Sequence, residues 1–298
     1  MQKHQAFWQY QNSKNGRPRS GRTQQNISKA KKMITKNVSQ RKLAKQLNTS
    51  KSNVQRILNL DLQLKPYKIR RQPFLQTAHI EKRLKFSYWV QNNFTKNDCL
   101  KILFSDEKQF EIDGVYNTQN DRIGAVDRAQ ADLKGGIFQK QKFPQKVMVW
   151  IGVSSRGLSP LVFLPKGGIN SQIYIDQVLP VSKKFGDDNL GEDWIYQQDG
   201  ATCHTSEQTQ NWCYDNFPNF IPKDKWPPNS PDLNPLDYSV WNEIVNSMKW
   251  NKVYSITTLK QQIKAAVKSI SNETILHICQ NWYKRVRSLQ SNNGLFIQ

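Results

Sequence analysis

The chain has 298 residues, of which 37% are hydrophobic and 11% aromatic, and a formal net charge of +21. That length suits one large domain with a smaller companion, and the apolar content is enough for a core. No apolar run approaches membrane-spanning length, no charged-then-apolar signal opens the chain, and Cys99, Cys203, Cys213 and Cys279 form no CxxC pair. Neither a zinc finger nor a disulfide framework is therefore supported, and a soluble intracellular protein is expected.

The charge is unevenly spread. Residues 1–95 carry 21 Lys and Arg against only Asp61 and Glu81, whereas residues 96–298 balance 23 basic against 21 acidic side chains. A front third at +19 reads as a polyanion-binding region, with nucleic acid the default partner.

Residues 1–24 are polar and poor in aliphatics, and a flexible basic tail is expected there. Within it, Gly16-Arg17-Pro18-Arg19 resembles an AT-hook: Pro18 keeps the chain extended so that Arg17 and Arg19 can lie along a narrow minor groove. Residues 25–62 then read as a small all-α helix-turn-helix domain. Ala30, Met33 and Ile34 give a first stripe, Ser39 caps a helix with Leu43, Ala44 and Leu47, and Ser50 caps a third with Val54, Ile57 and Leu58 inward. Its outer face offers Lys51, Ser52, Asn53, Gln55 and Arg56 to bases and phosphates. Residues 63–97 read as a basic linker ending in a helix whose apolar side is Ile80, Leu84, Tyr88 and Trp89.

Residues 98–298 alternate strands and helices. Leu100–Phe104 is expected to be a buried strand delivering Asp106 at its end, with 110–112 a second strand. Further strands are read at 146–153, 158–164 and 194–198, the last ending in Asp199, and helices at 171–181 and 206–214. Leu259, Ile263, Val267 and Ile270, then Ile275, Ile278, Trp282 and Val286, mark two late helices with ordinary core stripes. The fold class is thus α/β, a mixed sheet flanked by helices.

The stretch Trp226–Trp241, WPPNSPDLNPLDYSVW, holds four prolines between two tryptophans. Pro227, Pro228 and Pro231 make a rigid loop, Asn234 a helix cap, and Asp237 a first-turn residue favoured by the helix dipole. Two strand-end aspartates and this third, separated by 92 and 37 residues, suit a pair of hard divalent cations. Mg²⁺ or Mn²⁺ held so can stabilise both oxygens of an in-line phosphoryl displacement. Of the neighbouring acids, Glu107 is expected to face away as a salt-bridge partner, Asp232 to cap its own loop, and Asp113 and Asp121 to sit in turns.

Four blocks, FSDEKQF (104–110), VMVWIGVSSRGLSPLVF (147–163), YQQDGATCHTS (196–206) and WPPNSPDLNPLDYSVW (226–241), resemble the signature blocks of Tc1/mariner transposases, in order. The resemblance extends over 16–298, including GRPR and LKPYKIRRQPF on either side of the helix-turn-helix. It implies an RNase H-like catalytic domain, a metal-bound triad Asp106, Asp199 and Asp237, and cut-and-paste DNA transposition. It also implies transposon inverted repeats and a TA target as DNA partners, a homodimer holding two ends, and the nucleus as compartment. A third acid that is Asp, after a 37-residue gap, looks more like the mariner side than the Tc1 side. Two departures stand out: Thr202 replaces the proline of the usual Gly-Ala-Pro-X-His, predicting a looser loop, and only one helix-turn-helix unit fits where the family usually has two. His204 keeps the family's histidine position, to orient DNA or to make a structural hydrogen bond. The alternatives are a catalytically inactive, transposase-derived DNA-binding protein and an RNase H-type nuclease that only hydrolyses.

Overall fold

The computed structural model describes residues 21–34, 38–65, 72–114, 124–137 and 142–297. It divides into two compact units, Met1–Arg71 and Gln72–Gln298. Arg17, Arg19 and Asp121 lie outside the described residues.

The first unit is three short helices, α1 (Gln24–Met33), α2 (Gln40–Gln46) and α3 (Lys51–Arg56), the last continuing as a wider turn through Asp61. Thr23, Ser39 and Ser50 each hold extended backbone and accept a hydrogen bond from the N–H three residues on, at 3.2, 3.2 and 3.1 Å. Each such cap stabilises its helix by about 1 kcal/mol. Ala30, Leu43, Ala44, Leu47, Val54 and Ile57 bury together as the unit's core. Ile34, expected inside, is 38% exposed because α1 has already ended at Met33. Asp61, the sole acid among residues 1–71, is held by Arg22 through two hydrogen bonds. Gly21 packs so closely that a Cβ there would lie 2.7 Å from Thr49 Oγ1 and overlap the Asn53 amide.

The second unit begins with α4 (Thr77–Asn93) and α5 (Lys96–Leu100), followed by strand β1 (Ile102–Glu111) and a short helix α6 (Arg128–Ala131). Strands β2 (Lys146–Ser154), β3 (Gly157–Leu158) and β4 (Val162–Leu164) come next. A continuous helical run follows, opening as α7 (Ser171–Ile173), widening for one turn, and closing as α8 (Leu179–Leu190). After it come β5 (Ile195–Gln197), α9 (Thr202–Thr205), α10 (Glu207–Asn216) and β6 (Asn219–Phe220). Three helices close the unit: α11 (Trp241–Ser247), α12 (Ile256–Ser269) and α13 (Asn272–Ser291).

The sheet order is β3-β2-β1-β5-β6, with β4 also on β2. β2 runs antiparallel to β1, and β5 and β6 run parallel to it. Side chains alternate across the sheet. Ile102, Phe104 and Phe110 of β1 enter the larger core with α4 and α11–α13, while Leu103 enters a second core against α8 and α10.

Three expectations need correction. Residues 102–111 form one ten-residue strand, not two, because the antiparallel ladder to β2 satisfies the backbone of the polar run Ser105–Gln109 whatever its side chains are. The supposed linker is split: its helix, α4, falls in the second unit, with Phe86 and Val90 in the main core. The buried face of that helix is Arg83, Phe86, Ser87 and Val90, and Tyr88 is 55% exposed, since Arg83 has buried partners that periodicity of apolar residues cannot reveal. Among the described residues no helix is long and apolar enough to cross a membrane.

Candidate active site

Parallel register places the first two acids. Phe104 of β1 pairs with Gln197 of β5, so Asp106 and Asp199 each follow the last ladder pair by two residues, on the same sheet face. Asp106 is therefore inside a strand, opposite Ile151 of β2, at a level where β5 has already ended.

The third acid arrives on the rigid loop. Pro231–Leu233 make a single 3₁₀ turn, Asn234 is extended, and Pro235 starts a helical turn carrying Leu236–Val240 into α11. The buried Asn234 side chain does two jobs. Its Oδ1 accepts from Leu236 N at 3.0 Å, capping the helix, and its Nδ2 donates to Ser105 O at 3.0 Å. One amide thus ties the start of the Asp237 helix to the residue before Asp106.

One turn beyond Asp237, Trp241 Nε1 donates to Asp106 Oδ2 at 2.6 Å. The sequence marks Trp241 only as the end of the proline-rich stretch, although four residues after Asp237 on a helix is the same face. Burial, the charge of Asp237 and, less, that of Glu107 push the Asp106 carboxyl up to about 8 despite the Trp241 bond. Burial and the charge of Asp199 push Asp237 up to about 6, with Lys108 and a hydrogen bond to Asp106 pulling back. Asp237 meets solvent at the cleft mouth, yet enough protein surrounds it for desolvation to lead.

Asp199 behaves differently. Burial would raise it, but His204 and the Ala201 N–H hold it below the usual carboxylate value. Its Oδ1 meets His204 Nδ1 at 2.6 Å and accepts from Ala201 N at 2.9 Å. His204 is 2% exposed, and Glu107 Oε1 stands 3.4 Å from its Nε2. Burial alone would lower its pKa, but the hydrogen bond to Asp199 and, less, the nearby Glu107 carboxylate hold it well above the ordinary value. His204 thus stands between Asp199 and Glu107 and makes a structural hydrogen bond to Asp199. Glu107 does face away from Asp106, as strand alternation requires. Thr202 occupies the first position of α9, and Ala201 O accepts from both His204 N and Thr205 N at 3.0 Å. The turn that proline would favour closes without it.

A cleft of about 390 Å³ opens beside Asp199 and Asp237, walled by Gly200, Trp226, Pro227 and Pro228. A larger, apolar groove of about 900 Å³ between Leu158–Leu161, α8 and α12 contains none of the three acids.

Asp232, five residues before Asp237, has a wholly different fate. It is 2% exposed and bonds Arg83 in bidentate fashion at 2.8 and 2.6 Å, so it is not the local loop cap expected. Asp113 does sit in a turn. On the first unit, Lys51, Ser52, Gln55 and Arg56 are exposed, whereas Asn53 is half buried and donates to Thr49 Oγ1 at 3.1 Å.

Among the described residues no three His, Cys, Asp or Glu side chains converge closely enough, as placed, to hold a metal ion. The donor chemistry nevertheless fits a hard divalent cation. Asp106, Asp199 and Asp237 offer only carboxylate oxygens, and the raised pKa values of two of them express negative charge crowded into a partly desolvated space. A cation relieves that repulsion.

A six-stranded sheet of this order, with Asp106 on β1, Asp199 two residues past β5 and Asp237 on the helical turn before α11, is an RNase H-like domain, here following a small helical domain. No protein-family model matches the chain. Among curated relatives, the Tc3 transposase of Caenorhabditis elegans is 28% identical over 255 residues, 84% of this chain and 72% of the relative. The Tc1 transposase of the same organism is 24% identical, covering 67% of this chain and 70% of the relative. Among solved structures, the mariner Mos1 paired-end complex with Mg superposes at a TM-score of 0.69 with 16% identity. That match covers 98% of this chain and 85% of the other. The Mos1 catalytic domain alone superposes at 0.56 with 15% identity, covering 77% of this chain and all of that domain. The chain is a homologue of the Tc1/mariner transposases.

Proposed function

We propose that the chain is a cut-and-paste DNA transposase that binds transposon inverted repeats, cleaves the ends and joins them to target DNA. The observation that carries this reading is that Asp237 lies near enough to both Asp106 and Asp199 to feel their charge, with each acid, from its own element, fixed by its own partner. Trp241 holds the orientation of Asp106, His204 and Ala201 hold Asp199, and the Asn234 cap holds the helix of Asp237. All three carboxylates would hold Mg²⁺ or Mn²⁺, as a pair of ions. Ions held there would supply activation of a nucleophilic oxygen and stabilisation of the attacking and leaving oxygens. The paired-end complexes of Mos1 support divalent metal and transposon DNA as ligands here, and a homodimer holding two ends.

The exposed Lys51, Ser52, Gln55 and Arg56 are the proposed DNA-reading face of α3, with Asn53 acting from behind by holding the turn. Arg17 and Arg19 are proposed as minor-groove contacts. Asp237 as the third acid aligns the site with the mariner branch, although the sequence relatives carry Tc3 and Tc1 names. Action on chromosomal DNA makes the nucleus the proposed compartment. A strand-transfer assay with candidate ends and Mg²⁺ or Mn²⁺ tests the proposal. Joined product dependent on metal and on all three aspartates supports it; end binding without any cleavage supports the inactive, DNA-binding alternative instead.

A further inference from the structure

Arg83 of α4 is wholly buried, and every N–H of its guanidinium side chain has an acceptor. Nε donates to Gly294 O at 2.8 Å, Nη1 to Ser230 Oγ and Asp232 Oδ1, both at 2.8 Å, and Nη2 to Asp232 Oδ2 at 2.6 Å and Leu295 O at 3.3 Å. The segment after α13 closes the far side: Ile297 N donates to Asp232 Oδ2 at 2.8 Å, and Ile297 is 5% exposed. That segment lies so close to α4 that a Cβ on Gly294, which has φ +74°, would meet Ile80 O at 2.7 Å. Two further bonds grip the same turn from α13: Trp282 Nε1 to Leu233 O at 2.7 Å and Arg285 Nε to Asp232 O at 3.0 Å. The Arg285 guanidinium also lies 4.1 Å from the ring centre of Tyr238, the residue after Asp237.

Six of these hydrogen bonds end on Ser230–Leu233, immediately before the Asn234 that joins β1 to the Asp237 helix, and the other two tie Arg83 to Gly294 and Leu295. We propose that Arg83 is a positioning residue for the third carboxylate, clamping the Ser230–Leu233 turn through Asp232 and the 294–297 segment so that Asp237 stands beside Asp106. The proposal rests on the reading of Asp237 as a metal carboxylate. An isolated buried ion pair is weak grounds for stability alone, since an apolar pair of similar volume often does as well. What an apolar pair lacks is direction, and a five-donor fork fixes the turn's angle as well as its place.

The test uses the full chain. Arg83→Met with Asp232→Leu removes both charges together, so that neither is stranded, and Ser230→Ala removes one of the Arg83 bonds together with the Ser230 Oγ bond to Pro228 O within the loop. Mn²⁺ alone is titrated by calorimetry, and amide hydrogen exchange is followed through 229–240. The double variant is expected to melt cooperatively, bind transposon-end duplex like the parent, and lose Mn²⁺ affinity by about tenfold or more, the range for groups that orient metal ligands. Exchange should quicken in 229–240 and not in β1 or β2, and Ser230→Ala should shift both readouts in the same direction by a smaller factor. Parental Mn²⁺ affinity and parental exchange in a folded double variant would overturn the clamp. Should the double variant not fold, the same parental result in Ser230→Ala overturns it. Parental Mn²⁺ binding in Asp237→Asn sinks the metal-site reading instead, whatever Arg83 does.

Discussion

The two units handle charge in opposite ways. In the three-helix unit the one acid, Asp61, binds Arg22, and Lys51 and Arg56 are exposed with no ion pair among the described residues. The sheet unit is nearly neutral in sum, yet crowds like charges together, with Asp106 and Asp237 each raised by burial and by another carboxylate. Unpaired surface cations cost little in water and await a polyanion. Crowded, partly buried carboxylates are destabilising until a cation joins them. The first arrangement suits a binding surface, the second a reaction centre, and the contrast can be broken experimentally from either side.

The largest effect is expected at the triad. Asp106→Asn, Asp199→Asn and Asp237→Asn should each cut end cleavage by about a thousandfold or more, several kcal/mol of lost transition-state stabilisation. End binding, measured by gel shift, should be unchanged in all three. Next comes Asp232→Asn, which leaves Arg83 buried beside a neutral partner. A loss of about 3 kcal/mol in urea unfolding is expected, in the range for breaking a buried pair. An unchanged midpoint would mean the pair is dispensable and the two neighbouring aspartates less different than their contacts suggest.

On the binding side, Lys51→Gln and Arg56→Gln should each lower the slope of log affinity against log salt by about 1, as for one lost phosphate contact. A salt-independent affinity in the parent would remove the polyanion reading of the first unit. The smallest effect is one of stability. Folded Asp106 keeps its proton up to about pH 8, against 3.8 ordinarily, so the folded state binds more protons across that window. Its contribution to stability is therefore full below 3.8 and lost as pH rises to about 8. In chelator, Asp106→Asn should melt higher than the parent at pH 8, by about 2–4 °C for each kcal/mol regained, and the gap should narrow towards pH 4. Added Mn²⁺ should close it from the other direction, by stabilising only the parent.

The same contrast explains what the sequence could disclose. Caps and stripes are local, so Ser39, Ser50, Leu43, Val54 and Ile57 could be placed from spacing alone. The triad was legible because each acid sits in a distinctive short setting, two after apolar runs and one after Asn234-Pro235. What was hidden depends on contacts distant in the chain. The unity of β1 comes from β2, some forty residues on, and polar side chains from Ser105 to Gln109 disguise it. The true partner of Asp232 lies 149 residues away on α4, at a position whose charge reads as solvent-facing. Asn53 looks free for DNA until Gly21 and Thr49 are seen against it.

Calorimetric titration of Mn²⁺ into the full chain and its Asp106→Asn, Asp199→Asn, Asp237→Asn and Asp232→Asn variants tests the central claim most directly. The account predicts binding in the parent, its loss in each of the first three variants, and retained though weakened binding in any folded fraction of Asp232→Asn. Parental binding in Asp237→Asn, with binding abolished in folded Asp232→Asn, would contradict it.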